Sequence, residues 1–246
     1  PRKDHLQEPV PIKQMGRFQH EAVAFDKYGN GYLTEDRSDG LLYKFVPKSK
    51  DSLFEGDLYA LNIKVKDSRN WKKRDVAKNQ KYKIKWVKLE DVDPVSDTLR
   101  EEGKEKGATI FARGEGITHD GDSIFITCTS GGSYKKGQIW KLTPNSEQDA
   151  ILELWYEVDH KDGLNMPDNI TVAPWGDLIV CEDNPDLDRL WGITPDGRPY
   201  LIAENNYTGA ELAGACFSPD GKTLYINIQQ NGQTISIDGD WDSVRV

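Results

Sequence analysis

The chain has 246 residues, of which 37% are hydrophobic and 30% charged, and its formal net charge is −9. That balance excludes a broadly basic nucleic-acid-binding protein, and no apolar run is long enough for a transmembrane helix. Cys128, Cys181 and Cys216 are odd in number and have no CxxC spacing, which argues against a disulfide framework and leaves the redox compartment open.

Four segments repeat one pattern of two short apolar strands joined by a turn rich in Gly, Asp or Asn. The first runs from Glu21 through a turn at Lys27–Gly31 to Asp36, with a third strand at Leu41–Val46. Residues 47–108 then break the spacing. They hold strand-like runs at Leu58–Val65 and Lys83–Leu89, a charged stretch at Lys66–Lys81, and a second at Asp91–Lys106 that reads as a short helix or loop. The region 66–106 is an insertion or an elaborated repeat.

The second repeat starts at Glu115, turns at Gly121 and ends its second strand at Cys128, with Gln138–Leu142 as the third. The next runs from Asp168 through Pro174–Gly176 to Asp183, with Arg189–Thr194 following, and the last from Ala213 through Pro219–Gly221 to Asn227, then Gln233–Ile237. Fourth strands are fainter, at Ile151–Tyr156 and Pro199–Ala203. Repeated hairpins of this kind predict an all-β chain, a single β-propeller domain over 1–246 that is an incomplete ring or has five to six blades.

In a propeller the inner strands surround the axis, so matched positions meet there. Glu21, Glu115 and Asp168 share the entrance of the inner strand, and Glu211 lies just before it in the fourth repeat. The second strands end in a further polar set that includes Glu35, Asp36, Glu182 and Asp183. Converging carboxylates stay ionised only with cations between them. An all-oxygen set suits Ca²⁺ or another hard cation; the plain alternative is a set of acids capping strand ends in solvent.

Arg113 lies two residues before Glu115, so on a strand both side chains point the same way, and a guanidinium beside a metal-bound carboxylate can grip a phosphate. Arg37 is a second candidate for substrate binding, and equally a partner in an ordinary ion pair. His20 is expected to pack between the inner and second strands, and His119 to be solvated; His5 and His160 belong to no motif. No GxSxG or P-loop is present.

Taken together, Gly16–Ala24, Tyr32–Arg37, Gly40–Pro47, Phe111–Gly116, Thr127–Gly132 with Gly137–Trp140, Pro167–Thr171, Cys181–Asn184 and Gly214–Gly221 resemble the PhoX-type alkaline phosphatases in order along the chain. The resemblance implies an exported, periplasmic or secreted propeller phosphatase that uses Ca²⁺ together with Fe³⁺. It implies Glu21 and Glu115 as metal carboxylates, with Glu115 and Arg113 at the reacting phosphate. It places Glu182, Asn169 and Glu211 in segments near the metals. An earlier family segment carries an iron-ligating cysteine, which the resemblance does not transfer to Cys181. The chain looks like the C-terminal part of such a protein: either an N-terminal segment or separate chain supplies the rest, or this is a degraded or divergent form whose iron site is incomplete.

The function expected is therefore a metal-dependent phosphomonoesterase acting on a small phosphoester, with no nucleic-acid or membrane partner and a monomer by default. A non-catalytic calcium-binding propeller and a calcium-dependent lactonase-type hydrolase are the alternatives.

Overall fold

The computed structural model describes residues 8–159 and 163–245, so His5 and His160 lie outside it. The described residues form four antiparallel sheets laid out as propeller blades. In the first, β1 (His20–Phe25), β2 (Gly31–Glu35), β3 (Leu42–Ser49) and β4 (Ser52–Asn62) follow in order from the axis outward. Two short strands come next, β5 (Lys81–Lys83) and β6 (Lys85–Lys88), and then the helix α1 (Leu99–Glu105). The second sheet is β7 (Gly114–Asp120), β8 (Ser123–Cys128), β9 (Gln138–Pro144) and β10 (Ala150–Glu157). The third is β11 (Pro167–Val172), β12 (Leu178–Glu182), β13 (Arg189–Ile193) and β14 (Pro199–Glu204). The fourth has three strands, β15 (Leu212–Phe217), β16 (Thr223–Ile228) and β17 (Gln233–Asp238), followed by the short helix α2 (Trp241–Val244).

Four sheets are fewer than the five or six blades that repeat length suggests. The reason lies in residues 47–108, which build no blade of their own. There β4 completes the first sheet and β6 pairs onto its outer edge, while β5 crosses to pair with β10 of the second. The segment ties two blades together at the rim.

Three apolar layers hold successive sheets face to face. Leu42 and Leu61 meet Ile126, Trp140 and Leu152 between the first two. Ile139 and Tyr156 meet Val180 and Trp191 between the next two, and Ile179 and Leu190 meet Leu224 and Ile226 between the last two. The far face of the first sheet is covered by Met15 and by Leu99 of α1. Full burial of one such aliphatic or aromatic side chain contributes about 1.5–3 kcal/mol. The second strands are sandwiched on both faces, which is why β2 and β12 are buried at every residue.

The inner strands β1, β7, β11 and β15 pack successively against one another. Their approach is close: a Cβ on Gly116 would collide with the backbone of Asp168 and Ile170. Each inner strand also carries a bulge near its start, between His20 and Val23, Gly114 and Ile117, Pro167 and Ile170, and Ala213 and Cys216. No helix among the described residues is long and apolar enough to cross a membrane.

Candidate metal and phosphate centre

The bulges aim the acids. In the first three blades, two inner-strand residues oppose one residue of the second strand: Glu21 and Ala22 oppose Thr34, Glu115 and Gly116 oppose Thr127, and Asp168 and Asn169 oppose Cys181. Bulges re-aim side chains in this way and gather beside functional sites. In the fourth blade the bulge slips by one residue, to Gly214 and Ala215, and Ala213 takes the matched position. The acid there is Glu211, two residues earlier, as the sequence indicates.

Hydroxyls lock the bulges in place. The Thr34 hydroxyl donates to the carbonyl of Glu115 (2.5 Å) in the next blade and accepts from the amide of Ala22 (3.0 Å). Thr127 donates to the carbonyl of Asp168 (2.6 Å), and Thr129 to that of Pro167 (2.9 Å). In the third blade the bond runs the other way, from the Ala215 amide to Oδ1 of Asn169 (3.0 Å). Asn169 is thereby a tie between blades, and its oxygen is already engaged.

Glu21, Asp36 and Glu115 bring carboxylate oxygens within 4.8 Å of one another. Arg113 is wrapped by three acids: its Nε donates to Asp36 (2.8 Å), its second guanidinium nitrogen to Glu115 (2.6 Å), and its first to Asp183 (3.1 Å). Its backbone has φ 52°, the left-handed region that non-glycine residues rarely occupy and that clusters at functional sites. Burial opposes the Arg113 charge, but Asp36 and Glu115 outweigh it and push its pKa up.

Acids outnumber that one guanidinium, and their protons show it. Burial, reinforced by Asp168 and Asp36, pushes Glu115 up to about 10. Burial with Glu211 and Asp183 nearby pushes Asp168 up to about 7, and burial with Asp183 and Asp188 does the same for Glu211, to about 7. Glu21 is also raised, by burial and then by Asp36. Glu21, Asp36, Glu115, Asp168, Asp183 and Glu211 therefore form one repelling group at the axis.

Two candidates from the sequence lie elsewhere. Glu182 is fully buried between strands, where its Oε1 accepts from the Asn165 amide (2.6 Å) and the Trp191 indole (2.8 Å). It does not join the axis group; its neighbour Asp183 does. Side chains alternate along a strand, so the residue after Glu182 faces the opposite way. Glu35 and Asp36 divide in the same fashion, and this alternation is the signal that identifies Asp36 and Asp183. Arg37 turns outward to Asp97 (2.7 Å), the ion-pair alternative. His20 stacks on Phe18, with ring centroids 3.6 Å apart, and its Nε2 lies 2.9 Å from the Gly16 carbonyl oxygen. His119 is exposed.

The sequence profile of the family described as "Alkaline phosphatase PhoX" matches residues 1–232. Among solved structures, PhoX of Pseudomonas fluorescens in complex with vanadate, a transition state analogue, is similar with a TM-score of 0.68 and 20% identity, over 92% of this chain and 52% of that one. This chain thus spans about half the length of that protein. Streptogramin B lyase (TM-score 0.39, 16% identity, 93% of this chain and 70% of that one) and virginiamycin B lyase of Staphylococcus aureus (0.40, 12%, 92% and 70%) are more distant. No curated protein matches the sequence. With the profile spanning nearly the whole chain, the chain belongs to the PhoX alkaline phosphatase family.

Proposed function

We propose that this chain carries the metal-binding and phosphate-binding part of a phosphomonoesterase. The observation that supports it most is the axis group itself: carboxylates of three blades converge on one guanidinium, in a chain that matches a phosphatase family.

The donor set suits Ca²⁺. Glu21, Asp36 and Glu115 offer only hard carboxylate oxygens, within 4.8 Å of one another. Cations bound there would neutralise the acids and draw charge from phosphoryl oxygens. Cys128 and Cys181 are buried in the layers between blades and serve the packing, so neither is assigned to Fe³⁺, and no step is assigned to iron.

Arg113 would orient the substrate. Its donors lie on Asp36, Glu115 and Asp183. With a cation held by Asp36 and Glu115, the planar fork of Arg113 would be left to clamp a phosphate, for which it is well shaped. Glu115, held by Thr34 of the preceding blade, fixes the geometry.

The test is phosphate release from p-nitrophenyl phosphate by the purified chain loaded with Ca²⁺ and Fe³⁺, alone and together with any N-terminal segment or partner chain found to complete it. Turnover that falls at least about a hundredfold in Arg113→Ala is the expected result. A metal-loaded, fully assembled protein without turnover overturns the reading, and calcium-dependent melting without turnover favours a non-catalytic calcium-binding propeller. The periplasm or the cell exterior, where calcium is abundant, is the compartment this reading fits.

A further inference from the structure

This acidic chain concentrates its positive charge in one stretch. Residues 64–88 hold eleven Lys or Arg against two Asp, in a chain of net charge −9. Part of that stretch has a structural explanation. Lys81 and Lys83 on β5 and Lys85 and Lys88 on β6 are exposed on the outermost strands of their sheets, where charge deters edge-to-edge pairing.

The loop 64–74 needs another account. The last residues of β4 pair with the first residues of β3, at the end of the blade where Glu35 and Asp36 lie. The chain leaving Asn62 therefore emerges at the same end of the blade as the axis carboxylates, on its outer side, and Arg69 then reaches back to Ser38. There it lines a groove of about 570 Å³ with Lys64, Lys66, Asp67, Arg69, Asp75 and Ile110.

The cations at this mouth are fixed in place. Arg69 donates to both carboxylate oxygens of Asp67 (2.8 and 2.6 Å) and to the carbonyl of Ser38 (2.9 Å), two residues beyond Asp36. The Trp71 indole donates to the carbonyl of Ser130 (2.6 Å), which follows Thr129, whose own amide bonds the carbonyl of Arg113 (2.9 Å). The guanidinium of Arg69 lies 4.5 Å from the Trp71 ring centroid and the ammonium of Lys135 lies 4.8 Å from it. One aromatic ring thus gathers two cations at the rim. Among the described residues, Lys64, Lys66, Lys72 and Lys135 have no carboxylate within 4.0 Å, whereas Lys73 and Arg74 do. Lys64 and Lys66 line the groove with Arg69, and Lys135 shares the Trp71 ring with Arg69; cations gathered this way without carboxylates of their own suit an anion.

We propose that this groove binds a second anionic group on the leaving-group side of the substrate, so that the chain favours phosphoesters bearing a further phosphate. The proposal rests on the phosphomonoesterase reading for its catalytic part, while anion binding in the groove stands independently.

The experiment has two arms. In the first, kcat/KM is measured for fructose 1,6-bisphosphate and fructose 6-phosphate with the Ca²⁺-loaded wild type and with the triple variant Lys64→Glu, Lys66→Glu, Lys135→Glu. The bisphosphate is expected to lose about tenfold or more and the monophosphate less than about threefold. Equal losses, or none, overturn the proposal. In the second arm, calorimetry follows inorganic tripolyphosphate binding to the metal-free wild type and variant. Binding that weakens about tenfold in the variant upholds the groove even where no ester is turned over, and then only the phosphatase reading fails. Identical binding overturns the groove. Lysine-dependent co-sedimentation with phosphatidylglycerol vesicles, without tripolyphosphate binding, also overturns it and reassigns these cations to a lipid surface.

Discussion

Glu35 and Asp36 are neighbours in the chain, and so are Glu182 and Asp183, yet the members of each pair live in different chemistry. The glutamates face between strands. Glu35 accepts from the Leu41 amide (3.0 Å) and the Tyr43 hydroxyl (2.8 Å), and Glu182 from the Asn165 amide and the Trp191 indole. Each keeps one buried oxygen without a hydrogen bond, and each has an arginine at the edge of reach, Arg100 at 3.9 Å and Arg189 at 4.0 Å. Burial pushes both up to about 7. The aspartates face the axis and meet other carboxylates and Arg113. A one-residue step along a strand thus separates an acid that holds a blade together from an acid that faces other carboxylates at the axis. The first kind serves the fold, and the second is the kind that the proposed cation would neutralise.

The largest effect that would sharpen this contrast is on stability. Glu182→Ala leaves the Trp191 indole and the Asn165 amide unpaired in a closed site, at a cost of about 3–5 kcal/mol. Glu182→Gln keeps the acceptor and costs less than about 1.5 kcal/mol at pH 6, where the carboxyl is already largely protonated. Urea unfolding curves read both. Equal losses in the two variants would show that the pocket works through charge and not through hydrogen bonds.

Next in size is the cation itself. Asp168 and Glu211 at about 7 and Glu115 at about 10 bind protons more tightly folded than unfolded, where carboxylates titrate near 4. Their contribution is complete below the unfolded value and is lost as pH rises through 7 and then 10. Metal-free protein should therefore melt at progressively lower temperature from pH 5 to pH 10. Calcium at a hundredfold excess over its Kd adds about 2.7 kcal/mol and should flatten the slope. A pH-independent melting temperature without metal would break the picture of a repelling axis group. Smaller again is Asp183→Asn, which should leave metal-free stability within about 0.5 kcal/mol of wild type and weaken calcium binding by roughly tenfold, as supporting residues of metal sites commonly do.

These contrasts show what could be read from the residues and what could not. The repeats located every inner, second and third strand, because alternating apolar runs between Gly-rich turns carry that information directly. Matched acids at Glu21, Glu115 and Asp168 were visible for the same reason. Choosing Glu182 over Asp183 failed on a parity that only the observed strand end supplies. The bulge that lifts Glu21 and Glu115 toward the axis has no composition signature of its own, and its slip in the fourth blade was visible only as an acid displaced to Glu211. Of the two readings of the ring, incomplete or five to six blades, the described residues give four sheets, because the strands at 81–88 inside the expected insertion pair with β4 and β10 of sheets already begun.

The smallest predicted effect probes how the bulges are held. Thr127 spans two blades: its hydroxyl donates to the carbonyl of Asp168 and lies 3.2 Å from that of Gly116. Valine has nearly the same shape, so Thr127→Val removes the bond without opening a cavity. The Asp168 carbonyl then loses its donor in a place closed to water, at a cost of about 1 kcal/mol. Because that carbonyl belongs to the residue whose carboxylate joins the axis group, calcium affinity should fall with stability, whereas Thr223→Val, at the other end of the fourth blade, should change stability alone. Calcium titrations of both variants, read beside their unfolding curves, separate a strut that positions the acids from one that merely joins strands: calcium affinity unchanged in Thr127→Val would leave the hydroxyl with the second role only.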